Sequence, residues 1–391
     1  MINHIKIGFP LRREDELLLC CARTQIDGNF KKKIINLTSH NLDWDYIIKK
    51  ASINGLIPLL YSNLCYICPE KVPKDVLIKF KNYYNINIRK NLLLAGELTK
   101  ILKLLDSKGI NAIPFKGPVL AQYIYGNIGL RVFHDIDILI NKSNAILAKK
   151  TLMSNDYELD LPVKIDDFLY LELDSEYRFF NVNKNVKAEI NWNFEGIFFS
   201  FPTDPTFFFR NTKLFNFNGI NMHIFSNDNH LLALCIHCAK HDWAKLSWIC
   251  DISEFIKNEE NINWIEVLEK SKKIGVYKIV LINMVLVKDL FQIDIPAEIL
   301  KELYLDFDTT IITKIKRKLF LPTSSPKPSF NLFEKLIFDL QKRDKLIYGV
   351  KDVFNGLFKP SYADYQTFPL TKRLIYIYYI LRPFLLLKRY F

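Results

Sequence analysis

The segment Asp135-Ile136-Asp137-Ile138-Leu139-Ile140 constrains this chain most, because polar and apolar residues alternate with the period of two that suits an extended strand. On such a strand Asp135 and Asp137 project to one side, while Ile136 and Ile138 enter a core. Two neighbouring carboxylates repel each other, so the arrangement persists cheaply only where a cation or a shared proton neutralises them. Taken alone, Asp-x-Asp reads as a solvated acidic pair on an edge strand. With phosphate-binding groups beside it, the same pair predicts a divalent-metal site of hard oxygen ligands, with Mg2+ favoured and Mn2+ the alternative.

The flanking residues supply such groups. Ile110 to Phe115 is a short strand-like run that ends at Lys116-Gly117, and Pro118 suits the first turn of a helix whose apolar face is Val119, Leu120, Tyr123 and Ile124. Backbone N–H groups at that strand-to-helix turn favour a phosphate, and Arg131 stands four residues before Asp135. Gly126 to Gly129 breaks the helix, giving the order strand, helix, loop, strand. Ser143 can cap a helix to about Met153. Two more strands are predicted at Tyr177–Val182 and Val186–Asn193, joined by the turn-prone Asn183-Lys184-Asn185. Consecutive strands of this kind imply an antiparallel or mixed sheet rather than a doubly wound one.

The fold class is therefore α+β. A helical N-terminal region (1–95) precedes a mixed-sheet domain (96–225), and a helical C-terminal domain (226–391) closes the cleft. Pro322, Pro326 and Pro328, with Ser324 and Ser325, mark an exposed connection in the last part.

The ordered set Phe115-Lys116-Gly117, Leu120, Tyr125, Arg131, Asp135-Ile136-Asp137-Ile138-Leu139 resembles the uncharacterised nucleotidyltransferases of the DNA polymerase β-like superfamily. Val186 to Trp192 looks like that family's third-acid strand, with Glu189 as the acid and Asn191 where many members have His. His237, Lys240-His241-Asp242-Trp243, Leu246 and Asp251 form a further similar segment, and Tyr378 to Pro383 resembles the C-terminal end. The resemblance implies a nucleotidyltransferase-type fold. It also implies that Asp135, Asp137 and Glu189 hold metal and carry catalysis with a nucleoside triphosphate as co-substrate. Lys116, Gly117 and Arg131 would lie on the phosphates. The acceptor could be a small molecule, a saccharide, a peptide or an RNA end. Pro118 stands where the wider superfamily has Ser, which shifts phosphate holding toward Lys116, Arg131 and backbone donors. A catalytically silent nucleotide or nucleic-acid binder and an RNA-directed nucleotide-adding enzyme are the alternatives.

Other features are weaker. Lys240 and His241 could cross the cleft to the triphosphate, or be a surface lysine and a capping or core histidine. His237 and His241 have a zinc-compatible spacing that overlaps Cys235-x-x-Cys238, but no Glu follows His237, and core packing of the cysteines is favoured. Trp243 and Trp248 could stack on a base, with packing between helices the commoner role. Asp251 could reach the nucleotide or hydrogen-bond a neighbouring helix. Seven cysteines without a framework point to reduced thiols in a cytoplasmic protein.

The excess of 54 basic over 42 acidic residues favours anionic partners without naming one. The uncharged run Ala51–Pro69 contains Asn, Gly and Pro, which suits a buried helix and turn rather than a membrane span. The basic and apolar C-terminus reads as a core helix, with membrane-surface contact the less favoured alternative.

Overall fold

The computed structural model describes residues 11–193, 205–303, 310–320 and 332–390 of the chain. The expected helical N-terminal region is formed by α1 (Arg13–Cys21), α2 (Gly28–Leu37), α3 (Trp44–Asn54), α4 (Ile57–Ile67) and α5 (Lys74–Asp106). Asp27 and Asp43 cap α2 and α3, their carboxylates accepting hydrogen bonds from backbone N–H groups that have no partner inside the helix. The uncharged run does make helix and turn. Gly55, in the left-handed region at φ 68°, ends α3, and Pro58 lies in the first turn of α4. Helix α5 is 33 residues long and runs through positions 95 and 96, so the N-terminal helices and the sheet domain share it.

Next come β1 (Ala112–Pro114), α6 (Gly117–Tyr125), β2 (Ile136–Ile140), α7 (Ala145–Met153), β3 (Glu158–Leu159), α8 (Asp167–Leu173), β4 (Glu176–Asn181) and β5 (Val186–Asn191). The sheet order is β1-β2-β5-β4-β3, with β2 and β5 parallel and every other pair antiparallel, which is the mixed sheet expected. Ile136, Ile138, Ala188 and Ile190 are fully buried on one side against Val119 and the α5 residues Leu98, Ile101 and Leu105. The opposite face of β2 and β5 is left for polar residues. A separate ribbon, β6 (Thr212–Phe217) and β7 (Ile220–Phe225), follows.

The C-terminal part is helical, led by α9 (Asn227–Lys240), α10 (Leu246–Asn258), α11 (Trp264–Ile274) and α12 (Tyr277–Phe291). Their core takes in Leu19 and Leu59 from the N-terminal helices and Ile113 and Leu139 from the sheet. The C-terminal helices therefore lie over the polar side of β2. The Pro322 to Pro328 connection lies outside the described residues.

The last helix, Tyr378–Tyr390, differs from the core helix expected. Tyr378 is buried and Arg382 pairs with Asp364, but Ile380, Phe384 and Leu387 face solvent, because they share a side that nothing in the described chain covers. Among the described residues, no helix is long and apolar enough to cross a membrane.

Candidate active site

Asp137 sits inside β2 and is only 8 % exposed, while Asp135, just before the strand, is half-buried. Across the parallel pair, Asp137 stands in register with Glu189 on β5, and Glu189 in turn faces Arg178 on β4. This pairing brings together carboxylates that are 52 positions apart in sequence. The side chains of Lys187, Glu189 and Asn191 alternate with the buried Val186, Ala188 and Ile190, so the third acid shares the face of Asp135 and Asp137.

Crowding acids on a buried face raises their proton affinity. Glu189 is pushed up to about 8 by burial and then by Glu176, Asp137 and Asp135, with Arg178 opposing. Burial also raises Asp137, and Asp135 adds to the rise, while Lys116, Arg131 and Lys240 oppose it. Lys116 Nζ is 4.0 Å from Asp137 Oδ1. Among the described residues no three His, Cys, Asp or Glu side chains are gathered closely enough to chelate an ion by themselves. The acids thus share one face with a lysine against them, and do not form a closed cage.

Gly117 has a steric role. At φ +58° a Cβ built on it would lie 2.9 Å from the Asp135 carbonyl oxygen, so only glycine lets the start of α6 pack this closely on the acidic strand. Lys116 occupies the N-cap position of α6, and its place beside Asp137 follows from that approach.

Arg131, expected on the phosphates, is engaged by a carboxylate of the C-terminal helices. Its Nε and Nη2 donate to Asp251 Oδ1 and Oδ2, both at 2.9 Å, and Tyr125 Oη donates to the same carboxylate at 2.7 Å. Asn91 Nδ2 holds the Arg131 carbonyl at 2.8 Å. Burial opposes the guanidinium charge, but Asp251 outweighs it and the pKa of Arg131 rises. This paired cluster ties the sheet domain to α10. Asp251 is therefore a neighbour-binding residue.

Lys240, in the last turn of α9, lowers the proton affinity of Asp137 electrostatically. His241 caps α9 and meets His237 edge-on and Trp248 at a tilt, ring centroids 4.8 Å and 5.0 Å away. Burial, then Lys240 and Lys116, hold His241 down to about 4, which keeps it neutral at physiological pH. Cys235 and Cys238 are fully buried in the core, and Trp243 is buried with its indole N–H on Asn283 at 2.9 Å.

Three residues on this side were not singled out from the sequence. Lys90 on α5 feels Asp135 electrostatically and lies 2.7 Å from His134 Nδ1, and Lys245 acts on both His134 and His241. The position of His134 beside Asp135 was the available signal, whereas Lys90 and Lys245 are two among many lysines. Lys90 thus acts on Asp135, and Lys116 and Lys240 on Asp137, as a basic arc whose charge the acids feel, while Lys245 acts on the neighbouring His134 and His241.

A family model described as "uncharacterised nucleotidyltransferase" matches residues 40–292, well over half of the chain. The chain belongs to the uncharacterised nucleotidyltransferase family. It is accordingly an enzyme of nucleotidyl transfer, and a nucleotide is its substrate. A solved antigenic nucleotidyltransferase-like protein from Paracoccidioides brasiliensis is 16 % identical, over 47 % of this chain and 87 % of that one, with a TM-score of 0.29. At that score the likeness adds nothing to the family match. No curated protein matches the sequence.

Proposed function

We propose that this nucleotidyltransferase moves a nucleoside monophosphate from a nucleoside triphosphate to an acceptor hydroxyl, releases pyrophosphate, and depends on Mg2+ or Mn2+. The observation that carries this reading is the register of Glu189 with Asp137 on the face that Asp135 shares, with Lys116 4.0 Å from Asp137. Carboxylates are the hard donors that Mg2+ takes together with phosphate oxygens, so Asp135, Asp137 and Glu189 fit that ion. When bound, the ion supplies charge neutralisation for the phosphates and lowers the pKa of the acceptor hydroxyl.

The chain's own groups do the rest. Lys116, Lys240 and the neighbouring basic arc attract and orient the triphosphate, placing positive charge where the leaving pyrophosphate develops negative charge. Glu189 accepts the proton of the attacking hydroxyl. Gly117 fixes the spacing between the lysine turn and the acidic strand. Arg131 holds Asp251, and so keeps α10 and the adjoining end of α9 over the face.

The test is pyrophosphate release from purified chain, with each nucleoside triphosphate and Mg2+, compared with Asp135→Asn and Asp137→Asn. Both variants should fold as the wild type does and lose turnover. Full turnover in either folded variant sinks the assignment. Nucleotide binding without any turnover in the wild type would instead identify a silent binder.

A further inference from the structure

The polar face does not stop at Glu189. On β5, β4 and β3, Lys187 is in register with Phe180 and Phe180 with Glu158, one step along from the row of Glu189 and Arg178. With Asp160 these residues line a cavity of ≈ 400 Å³ that opens beside Glu189. That volume falls in the range of about 300–1,000 Å³ typical of small-molecule sites. The cavity extends away from β2 toward the sheet edge, because β3 and β4 lie on the side of β5 opposite to β2.

The chemistry of this patch differs from that of the basic arc. Among the described residues Glu158, Asp160 and Lys187 make no ion pair, which leaves two carboxylates and an ammonium available to a ligand. Arg178 is already engaged, its Nε 2.7 Å from Glu176 Oε1. Carboxylates accept hydrogen bonds from hydroxyls, an ammonium donates to them, and the half-buried Phe180 ring offers a flat apolar surface. A polyanion would meet Glu158 and Asp160, and a polycation would meet Lys187 and Arg178. The combination suits a neutral molecule rich in hydroxyls with one apolar face.

We propose that this cavity is the acceptor subsite, and that it takes a saccharide-type ring whose hydroxyl is delivered beside Glu189. The proposal rests on the nucleotidyl-transfer reading above. In the step, the sugar oxygen forms a bond to the α-phosphorus and the α–β phosphoanhydride bond breaks. Pyrophosphate leaves with that bonding pair, and the hydroxyl proton passes to Glu189 and then to solvent. No oxidant or further co-reactant is needed.

The experiment incubates the full chain with Mg2+, a nucleoside triphosphate and a set of neutral saccharides (glucose, galactose, ribose and maltose), and reads pyrophosphate release and sugar–nucleotide ester by mass spectrometry. A labelled saccharide is expected. Phe180→Ala, and separately the doubly neutralised Glu158→Gln with Asp160→Asn, should each raise the KM for that saccharide about tenfold while the KM for the triphosphate stays at the wild-type value. Thermal melting checks that the variants fold, and the amide pair stands in if the Phe180 variant does not. Pyrophosphate release with no saccharide labelled, label on an RNA end or a protein side chain instead, or unchanged saccharide KM in both folded variants overturns the subsite while leaving nucleotidyl transfer standing. No pyrophosphate release under any condition overturns both readings together.

Discussion

Two oppositely charged pairs stand close together where the sheet meets the C-terminal helices, and they are built differently. Arg131 and Asp251 are joined by two bonds of 2.9 Å, with Tyr125 on the same carboxylate and Asn91 behind the arginine, and both partners are almost fully out of water. Lys116 and Asp137 meet through one contact of 4.0 Å. The first pair is buried and doubly bonded, so a ligand could displace either partner only by leaving the other as a buried, unpaired charge. The second keeps oxygen lone pairs and ammonium protons free for exchange. Around this site, tight buried pairing separates structural charge from chemical charge better than residue type does.

Breaking the first pair should cost the most. Arg131→Met leaves the Asp251 carboxylate buried without its partner and should lower folding stability by about 3–5 kcal/mol, read by denaturant unfolding. A stable Arg131 variant with weakened nucleotide binding would erase the contrast, because the arginine would then belong to the site. Glu189→Gln comes next. It should preserve binding of a non-hydrolysable triphosphate, by calorimetry, yet cut transfer about a hundredfold, the usual cost of losing a positioned proton acceptor.

Lys116→Ala should raise the KM for the triphosphate about tenfold with little change in melting temperature, as expected for a partly exposed contact. A loss confined to stability would move Lys116 into the structural class. A further effect is one of pH. Without a bound cation to neutralise the acids, Glu189 holds its proton up to about 8 in the folded chain, against about 4.3 when unfolded. The native state thus binds a proton that the unfolded state releases, and stability falls as pH rises from about 4.3 to about 8. In chelator, the melting temperature of Glu189→Gln relative to wild type should climb by a few degrees across that window and level off above it. A flat difference would mean that Glu189 is not crowded by the other acids.

How much of this could be read beforehand depended on the range of the interaction. Asp135 and Asp137 declare themselves through a local period, and the turn at Lys116-Gly117 through residues next to one another. Glu189 was reached only by its resemblance to a third-acid strand, since the pairing of β5 beside β2 has no local signature. Arg131 was assigned to phosphate because a lone arginine near acids looks the same whichever anion it holds. The carboxylate that it holds in the structure is 120 positions away. Gly117 was assigned with the phosphate contacts, and the nearby Asp135 carbonyl that excludes a side chain there is visible only in three dimensions. The exposed side of Tyr378–Tyr390 was missed because an apolar stripe signals a covered helix without showing whether a cover exists.

The parallel pairing of β2 with β5 also sets the order in which the protein can become active. Between Asp137 and Glu189 the chain must complete α7, β3, α8 and β4 before β5 can zip into the gap between β4 and β2. Such distant closures are entropically late steps, slower than the helices around them. During synthesis the first two acids emerge well before the third, and the C-terminal helices that cover the face come later still. On the function proposed above, a chain caught midway displays the lysine turn and two aspartates without the third acid, and so would hold a nucleotide without turning it over. Activity therefore arrives at the end of folding.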